Sequence, residues 1–321
     1  MAKKKKKPSI LDIWYVRKID RIAFLFCFIV FILLTPTHNA YLLDILHSTI
    51  IPTPQDVRRD PPPVAPYPEN ATGIFPGSEI TATGVVILDS ASGVHMYKRN
   101  EDELLAPAST TKILTALVAL DWYSLDDIIT VKTVANDGQI MGLVPDEKIT
   151  VENLLYGALI HSGNDAAWAL AEGYPGGVEA FVAAMNAKAK ALRLDKSSFT
   201  NPVGYDDPNQ KMTPTDLARL GNIALGNPVI AKMVAIPQIT VSDVTHTYFH
   251  PLKNVNQLLG KIPGVGGIKT GWTEEAGENL ITVVERHGHR VIIVVLKSQD
   301  RFLDTSKLID WVFTNIQWKA Y

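Results

Sequence analysis

A hydroxyl becomes a useful nucleophile only when a base removes its proton. Ser109-Thr110-Thr111-Lys112 sets a serine and an amine three residues apart. On a helix that spacing puts both side chains on one face, one turn apart. Lysine can be the base if burial or a nearby cation lowers its pKa. Residues 109–122 are apolar nearly all round, which predicts a buried helix. The helix N-terminus would offer partial positive charge and free N–H groups to an oxyanion. Taken alone, the spacing also fits a capping serine followed by a surface lysine.

Ser162-Gly163-Asn164 is a second group. Ser162 could pass a proton to a leaving group. Asn164 could hold Lys112 and bind a substrate carbonyl. Equally, Ser, Asn and the following Asp165 are good helix caps. The third group is Lys269-Thr270-Gly271 followed by Trp272, in a Gly-rich extended stretch. On an edge strand it could receive a peptide as one more strand. Gly271 would allow close backbone approach, and the N–H of Trp272 could complete an oxyanion site with that of Ser109. Lys269 would favour a neutral Lys112 and an anionic substrate. The plainer alternative is an ordinary basic strand end.

Each motif occurs once, in the order S-x-x-K, S-x-N, K-T-G, the serine penicillin-binding signature. Over about residues 80–320 the chain resembles the low-molecular-weight D-alanyl-D-alanine carboxypeptidases, peptidase family S11. The residues that carry the resemblance are Ala106–Thr115, Ser162–Ala167, Asn201-Pro-Val-Gly204, Asn254–Leu259, Gly267–Thr273 with Ala276-Gly277, and Leu308-Ile-Asp-Trp311. The resemblance implies a serine peptidase acting on peptidoglycan stem peptides that end in D-Ala-D-Ala. Ser109 would attack, Lys112 would act as base, and Ser162 and Asn164 would sit between base and substrate. Lys269 and Thr270 would bind the substrate end, and Arg301, ten residues before Trp311, would take the terminal carboxylate. β-Lactams would acylate Ser109, and no metal or organic cofactor is implied. Family members tend to carry Asp where this chain has Gly266. The resemblance also implies a further β-rich domain and a C-terminal anchor helix, and with Tyr321 as the last residue neither is expected here.

The elements that must position these residues follow from periodicity. Thr81–Asp89 and Val94–Lys98 alternate around Ser90–Gly93, which reads as a β-hairpin. Leu280–Glu285 and Arg290–Lys297 form a second. Helices are expected around residues 178–192, from Thr213-Pro214, and over 302–316. Strands at both ends with helices between predict an α+β domain of serine β-lactamase/DD-peptidase type. One antiparallel sheet would be formed by both chain ends, with an inserted helical lobe.

The N-terminus reads differently. Residues 1–21 carry eight Lys/Arg against Asp12 and Asp20. Ile22–Leu34 is an unbroken apolar run of thirteen residues, short of the ~20 that span a bilayer. An uncleaved transmembrane anchor over 22–37 is expected, with the basic segment 1–21 cytoplasmic and the main domain on the outer face of the bacterial cytoplasmic membrane. It would stand in for the family's C-terminal anchor. A cleaved signal is the rival, although His38 suits cleavage after Ala40 poorly. Residues 38–77 hold a Pro-rich linker, with eight prolines over 52–77. The catalytic domain is expected over 78–321. That domain is mildly acidic, which argues against nucleic acid. The one cysteine, Cys27, lies in the apolar run, so the domain has no disulfide, Cys-ligated zinc site or thiol nucleophile.

The same residues bear on other functions. A class A β-lactamase needs a glutamate in an E-x-x-L-N segment after Ser162, and only Glu152-Asn-Leu-Leu155, which precedes it, comes near. A D,D-endopeptidase would use the same chemistry. A zinc peptidase needs clustered ligands, and the eight histidines are scattered. A membrane-tethered scaffold or sensor would have no use for Ser109, Lys112, Asn164 and Lys269 together.

Overall fold

The computed structural model describes residues 66–319, together with Leu25. The expected basic segment and the region of cleavage lie outside the described residues, as does all of the expected anchor except Leu25. No described helix is long and apolar enough to cross a membrane. The chain divides into two units, Met1–Pro63 and Val64–Tyr321, and all the elements that follow belong to the second.

Five antiparallel strands form the central sheet. Their spatial order is β3 (His95–Arg99), β2 (Gly84–Asp89), β10 (His289–Ser298), β9 (Gly277–Arg286) and β8 (Val265–Thr273). The two expected hairpins are both present. They join where β2 meets β10, with Val85 opposite Val295 and Ile87 opposite Ile293. Successive side chains on a strand point to opposite faces. Here both faces are covered, so the alternation separates two cores rather than core from solvent. Val86, Ile281, Ile292 and Val294 face the helical lobe. Val85, Leu280, Ile293 and Val295 face the C-terminal helix α7 (Arg301–Asn315).

The lobe is inserted between β3 and β8. After a 3-10 turn, Ala108–Thr111, it runs through α1 (Lys112–Trp122), α2 (Val151–Leu159), α3 (Asn164–Glu172), α4 (Gly177–Ala191), α5 (Pro214–Leu225) and α6 (Pro228–Val234). Two-stranded pairs accompany it: β4 (Ile128–Thr130) with β5 (Lys148–Thr150), and β6 (Gln238–Ser242) with β7 (Phe249–Lys253). Residues 112–119 of α1 are all buried, as a helix apolar on every side requires. Thr213 caps α5 by accepting from the N–H of Asp216, and Pro214 takes the first position.

One boundary differs from expectation. The linker expected to run through residue 77 ends earlier, because β1 (Tyr67–Asn70) pairs antiparallel with β11 (Ile316–Lys319). The following residues are held as well. Trp311 Nε1 donates to Ile74 O, Arg99 Nη2 donates to Gly77 O, and Phe75 stacks on Trp311. Proline content suggests a spacer, but strand partners from the far end of the chain draw this stretch into the fold. Asn70 is occupied in a turn: its Oδ1 accepts from the N–H groups of Thr72 and Gly73.

Candidate active site

The turn that carries Ser109 is built from backbone strain and close packing. Ala108 sits at φ +48°, in the left-handed region. A Cβ on Gly204 (φ +95°) would lie 1.9 Å from Ala108 O, so only glycine fits under the turn. Asn279 donates to Ala106 O at 2.9 Å and accepts from the N–H of Lys297, which fastens the turn to β9 and β10. On the cleft side Gly271 of β8 approaches so closely that a Cβ there would lie 3.1 Å from Ser109 N. The strand edge and the N–H of the serine are thus brought together.

Ser109 Oγ lies 2.7 Å from Lys112 Nζ. Lys112 is wholly buried, so neither plainer reading of the first motif holds: the serine caps nothing and the lysine is not on the surface. Nζ has two other partners, Asn164 Oδ1 and Val203 O, each at 2.7 Å. Both are acceptors only. A neutral amine has two N–H donors and one lone pair. Its donors go to Asn164 and Val203, and the lone pair is left facing the hydroxyl of Ser109. Burial, then the charge of Lys269, holds Lys112 well below the usual lysine range, while Asp165 acts in the opposite sense.

The second motif lies in the turn between α2 and α3. Ser162 has φ +64°, strain of the kind stored at functional sites. Neither Ser162 nor Asn164 caps α3, whose N-cap is Gly163 with no side-chain bond. Asp165 ties this turn to the preceding loop: its carboxylate accepts from the N–H groups of Met141, Gly142 and Leu143. Asn164 Nδ2 donates to Asp137 O in that loop at 2.9 Å. His161 does not reach the reacting atoms; its ring contacts Gln139 and the backbone of Lys253.

The third motif lies on β8, at one edge of the sheet. Lys269 is buried, with Nζ donating to Ser162 Oγ at 2.8 Å and to Thr270 O at 3.1 Å. Burial, then the charge of Arg301, brings its pKa down to about 7. Gly266 packs against β9: a Cβ there would lie 3.3 Å from Val283 Cγ1. Trp272 presents its ring outward, 63% exposed. Asp300 caps α7 and so sets Arg301 in its first turn. Arg301 Nη1 donates to Gly271 O at 2.6 Å, and its Nε, buried, is without a partner.

A cleft of about 540 Å³ joins these groups. It is lined by Ser109, Ser162, Asn164, Thr270, Gly271, Trp272 and Arg301, all legible in the sequence, and also by Asp137, Gly138, Gln139, Val203 and Tyr205. Lys112 and Lys269 lie buried beneath it. The loop residues carry no motif. Val203 belongs to the quoted Asn201–Gly204 stretch, but it contributes a carbonyl, which no side-chain pattern reveals.

The chain is similar to known proteins over most of its described length. The family model described as D-alanyl-D-alanine carboxypeptidase, peptidase S11, matches residues 70–300. The D-alanyl-D-alanine carboxypeptidase DacF of Bacillus subtilis is 34% identical over 246 residues, covering 74% of this chain and 63% of that protein. This chain therefore spans somewhat less than two thirds of that relative. A D-alanyl-D-alanine endopeptidase of Pseudomonas aeruginosa is 32% identical, covering 80% of this chain and 83% of that protein. The crystal structure of the Streptomyces K15 DD-transpeptidase superposes with a TM-score of 0.71 at 32% identity, covering 75% of this chain and 99% of that one.

Proposed function

Because the chain belongs to the D-alanyl-D-alanine carboxypeptidase family, we propose that it is a serine peptidase that removes the terminal D-alanine from peptidoglycan stem peptides through an acyl-enzyme on Ser109. The observation that carries this reading is the set of three partners around Lys112 Nζ, which leaves its lone pair for the Ser109 hydroxyl. Ser109 gives its proton to Lys112 and attacks the carbonyl between the two D-alanines. The developing oxyanion is met by the backbone N–H groups of Ser109 and Trp272. Ser162, polarised by Lys269, relays the proton held by Lys112 to the departing amine, so that Lys112 is neutral again and Ser162 keeps its hydroxyl as D-alanine leaves. Water then attacks the ester and restores Ser109. Lys269, Thr270 and Arg301 take the substrate's terminal carboxylate, for which the fork of arginine is well suited. β-Lactams acylate the same serine.

The basic residues of segment 1–21 and the apolar run 22–34 support attachment to the bacterial cytoplasmic membrane with the catalytic unit on its outer side. Retention of the native chain in membranes after alkaline washing tests that attachment, and release into the wash refutes it.

The catalytic reading is tested on the full chain beside Ser109→Ala. Both are treated with a fluorescent penicillin and then assayed for D-alanine release from a peptide ending in D-Ala-D-Ala. Labelling that requires Ser109, with D-alanine release, is the expected result. Labelling without release points to an endopeptidase, as in the Pseudomonas relative, or to a sensor. Rapid turnover of penicillin means a β-lactamase, and a folded chain that is never acylated leaves only a scaffold.

A further inference from the structure

Tyr205 and Asp137 are 68 residues apart in sequence, and neither belongs to the three motifs. The phenol of Tyr205 donates to Asp137 Oδ1 at 2.6 Å across the cleft. The bond closes a circuit. Lys112 Nζ donates to Asn164 Oδ1, and Asn164 Nδ2 donates to Asp137 O. Asp137 accepts from Tyr205 through its side chain. Tyr205 follows Val203 by two residues, and Val203 O accepts from Lys112. The circuit thus leaves the base through one acceptor and returns to it through the other.

The direction of the Asn164 amide depends on this circuit. Its oxygen must face Lys112 and its nitrogen must face the loop. Turned about, it would offer an N–H to an N–H and leave the amine with one acceptor. The lone pair would then no longer be directed at Ser109. The loop at Asp137 is held close: a Cβ on Gly138 (φ +69°) would lie 2.7 Å from Asn164 Nδ2, so a side chain there would displace the amide. Asn201 Oδ1 accepts from the N–H groups of Gly204 and Tyr205 and fixes the other end.

We propose that Tyr205 and Asp137 are positioning residues for acylation: their hydrogen bond straps two cleft segments together and thereby holds Asn164 in the orientation that aims the Lys112 lone pair at Ser109. The proposal rests on the serine-peptidase reading for its kinetic consequence, but the strap itself can be read without acylation. The charged groups facing Lys112 are Lys269 from β8 and Asp165 from α3, and Asp165 also faces Tyr205.

Five full-length chains decide it: wild type, Tyr205→Phe, Asp137→Ala, Asp137→Asn and the double variant Tyr205→Phe/Asp137→Ala. Loss of the strap lowers the acylation rate constant with fluorescent penicillin about 10- to 100-fold, the scale of a small misplacement of reacting groups. Thermal stability should change little. The Lys112 titration, followed by ¹³Cε-lysine NMR and assigned with Lys112→Arg, moves to lower pH because its cation loses an acceptor. Asp137→Asn keeps the acceptor oxygen and restores most of what Asp137→Ala loses. The double variant is no worse than either single one, as for two ends of one bond. An unchanged Lys112 titration in Tyr205→Phe overturns the strap. Additive losses also overturn it, and so does an Asp137→Asn chain as impaired as Asp137→Ala. If the wild type is never acylated, the peptidase reading falls, while the titration still decides the strap.

Discussion

Lys269 Nζ donates to Ser162 Oγ at 2.8 Å, so the second and third motifs, 107 residues apart, meet through one hydrogen bond beneath the cleft. The same cation lowers the pKa of Lys112, and Arg301 lowers that of Lys269. The positive charge of Arg301 thus reaches Lys112 through two steps.

Lys269→Gln keeps a donor for Ser162 and removes the charge. Without the neighbouring cation, protonated Lys112 costs less, so the acid limb of acylation should move to higher pH. The limb is read from acylation rates across pH, and a limb that stays where it is in the wild type would show that burial alone sets the base.

Stability should carry the same signature. The pKa of Lys269 is about 7 in the folded protein and about 10.5 in the unfolded chain. Between these values the unfolded state binds more protons, so stability rises with pH over that window and falls as pH drops towards 7. Lys112 adds to the slope in the same direction. Urea unfolding at about pH 7.5, 8.5 and 9.5 should show the rise, and Lys269→Met should lessen it by about one proton. The window ends below about 10, where half-buried tyrosines such as Tyr123, raised to about 12, begin to act in the opposite sense.

Gly204→Ala tests the support under the nucleophile. The new methyl meets Ala108 O and the backbone is held at positive φ. Strain and overpacking together should cost about 2–5 kcal/mol. Chemical denaturation measures the loss, and the folded fraction should acylate slowly because the Ser109 turn must move.

Glu147 and His250 are both buried, with Glu147 Oε1 2.8 Å from His250 Nε2. His250 Nδ1 also faces Met141 O, so the pair clamps the loop that carries Asp137. Glu147→Ala leaves the ring without its partner and should cost about 3–5 kcal/mol. A midpoint of unfolding equal to that of the wild type would mean that the bonds to Asp165, Asn164 and Tyr205 hold the loop without the Glu147–His250 pair.

Much of the site was legible because its chemistry resides in side chains at short, fixed spacings. Ser109 and Lys112 share a helical turn, Ser162 and Asn164 share a bend, and Lys269 to Trp272 share a strand. The sheet was legible too, since two hairpins of apolar residues at the chain ends have few ways to be buried. The domain boundary was not, because local composition cannot show that Tyr67–Asn70 has a partner at Ile316–Lys319. Val203 acts through its carbonyl, which every residue has, and the side chain of Asp137 meets Tyr205 only because the fold brings together segments 68 residues apart.

The sequence by itself determined which groups are present: three hydroxyls, two amines, an amide and a guanidinium, on elements whose periodicity fixes their local faces. Tertiary structure decided the rest. The base proposed here, Lys112, owes its lowered pKa to burial and to the distant cation of Lys269, and two acceptors from separate segments hold its amine. Desolvation and Coulomb interaction depend on distance in space, and a linear sequence does not contain that distance until the chain has folded.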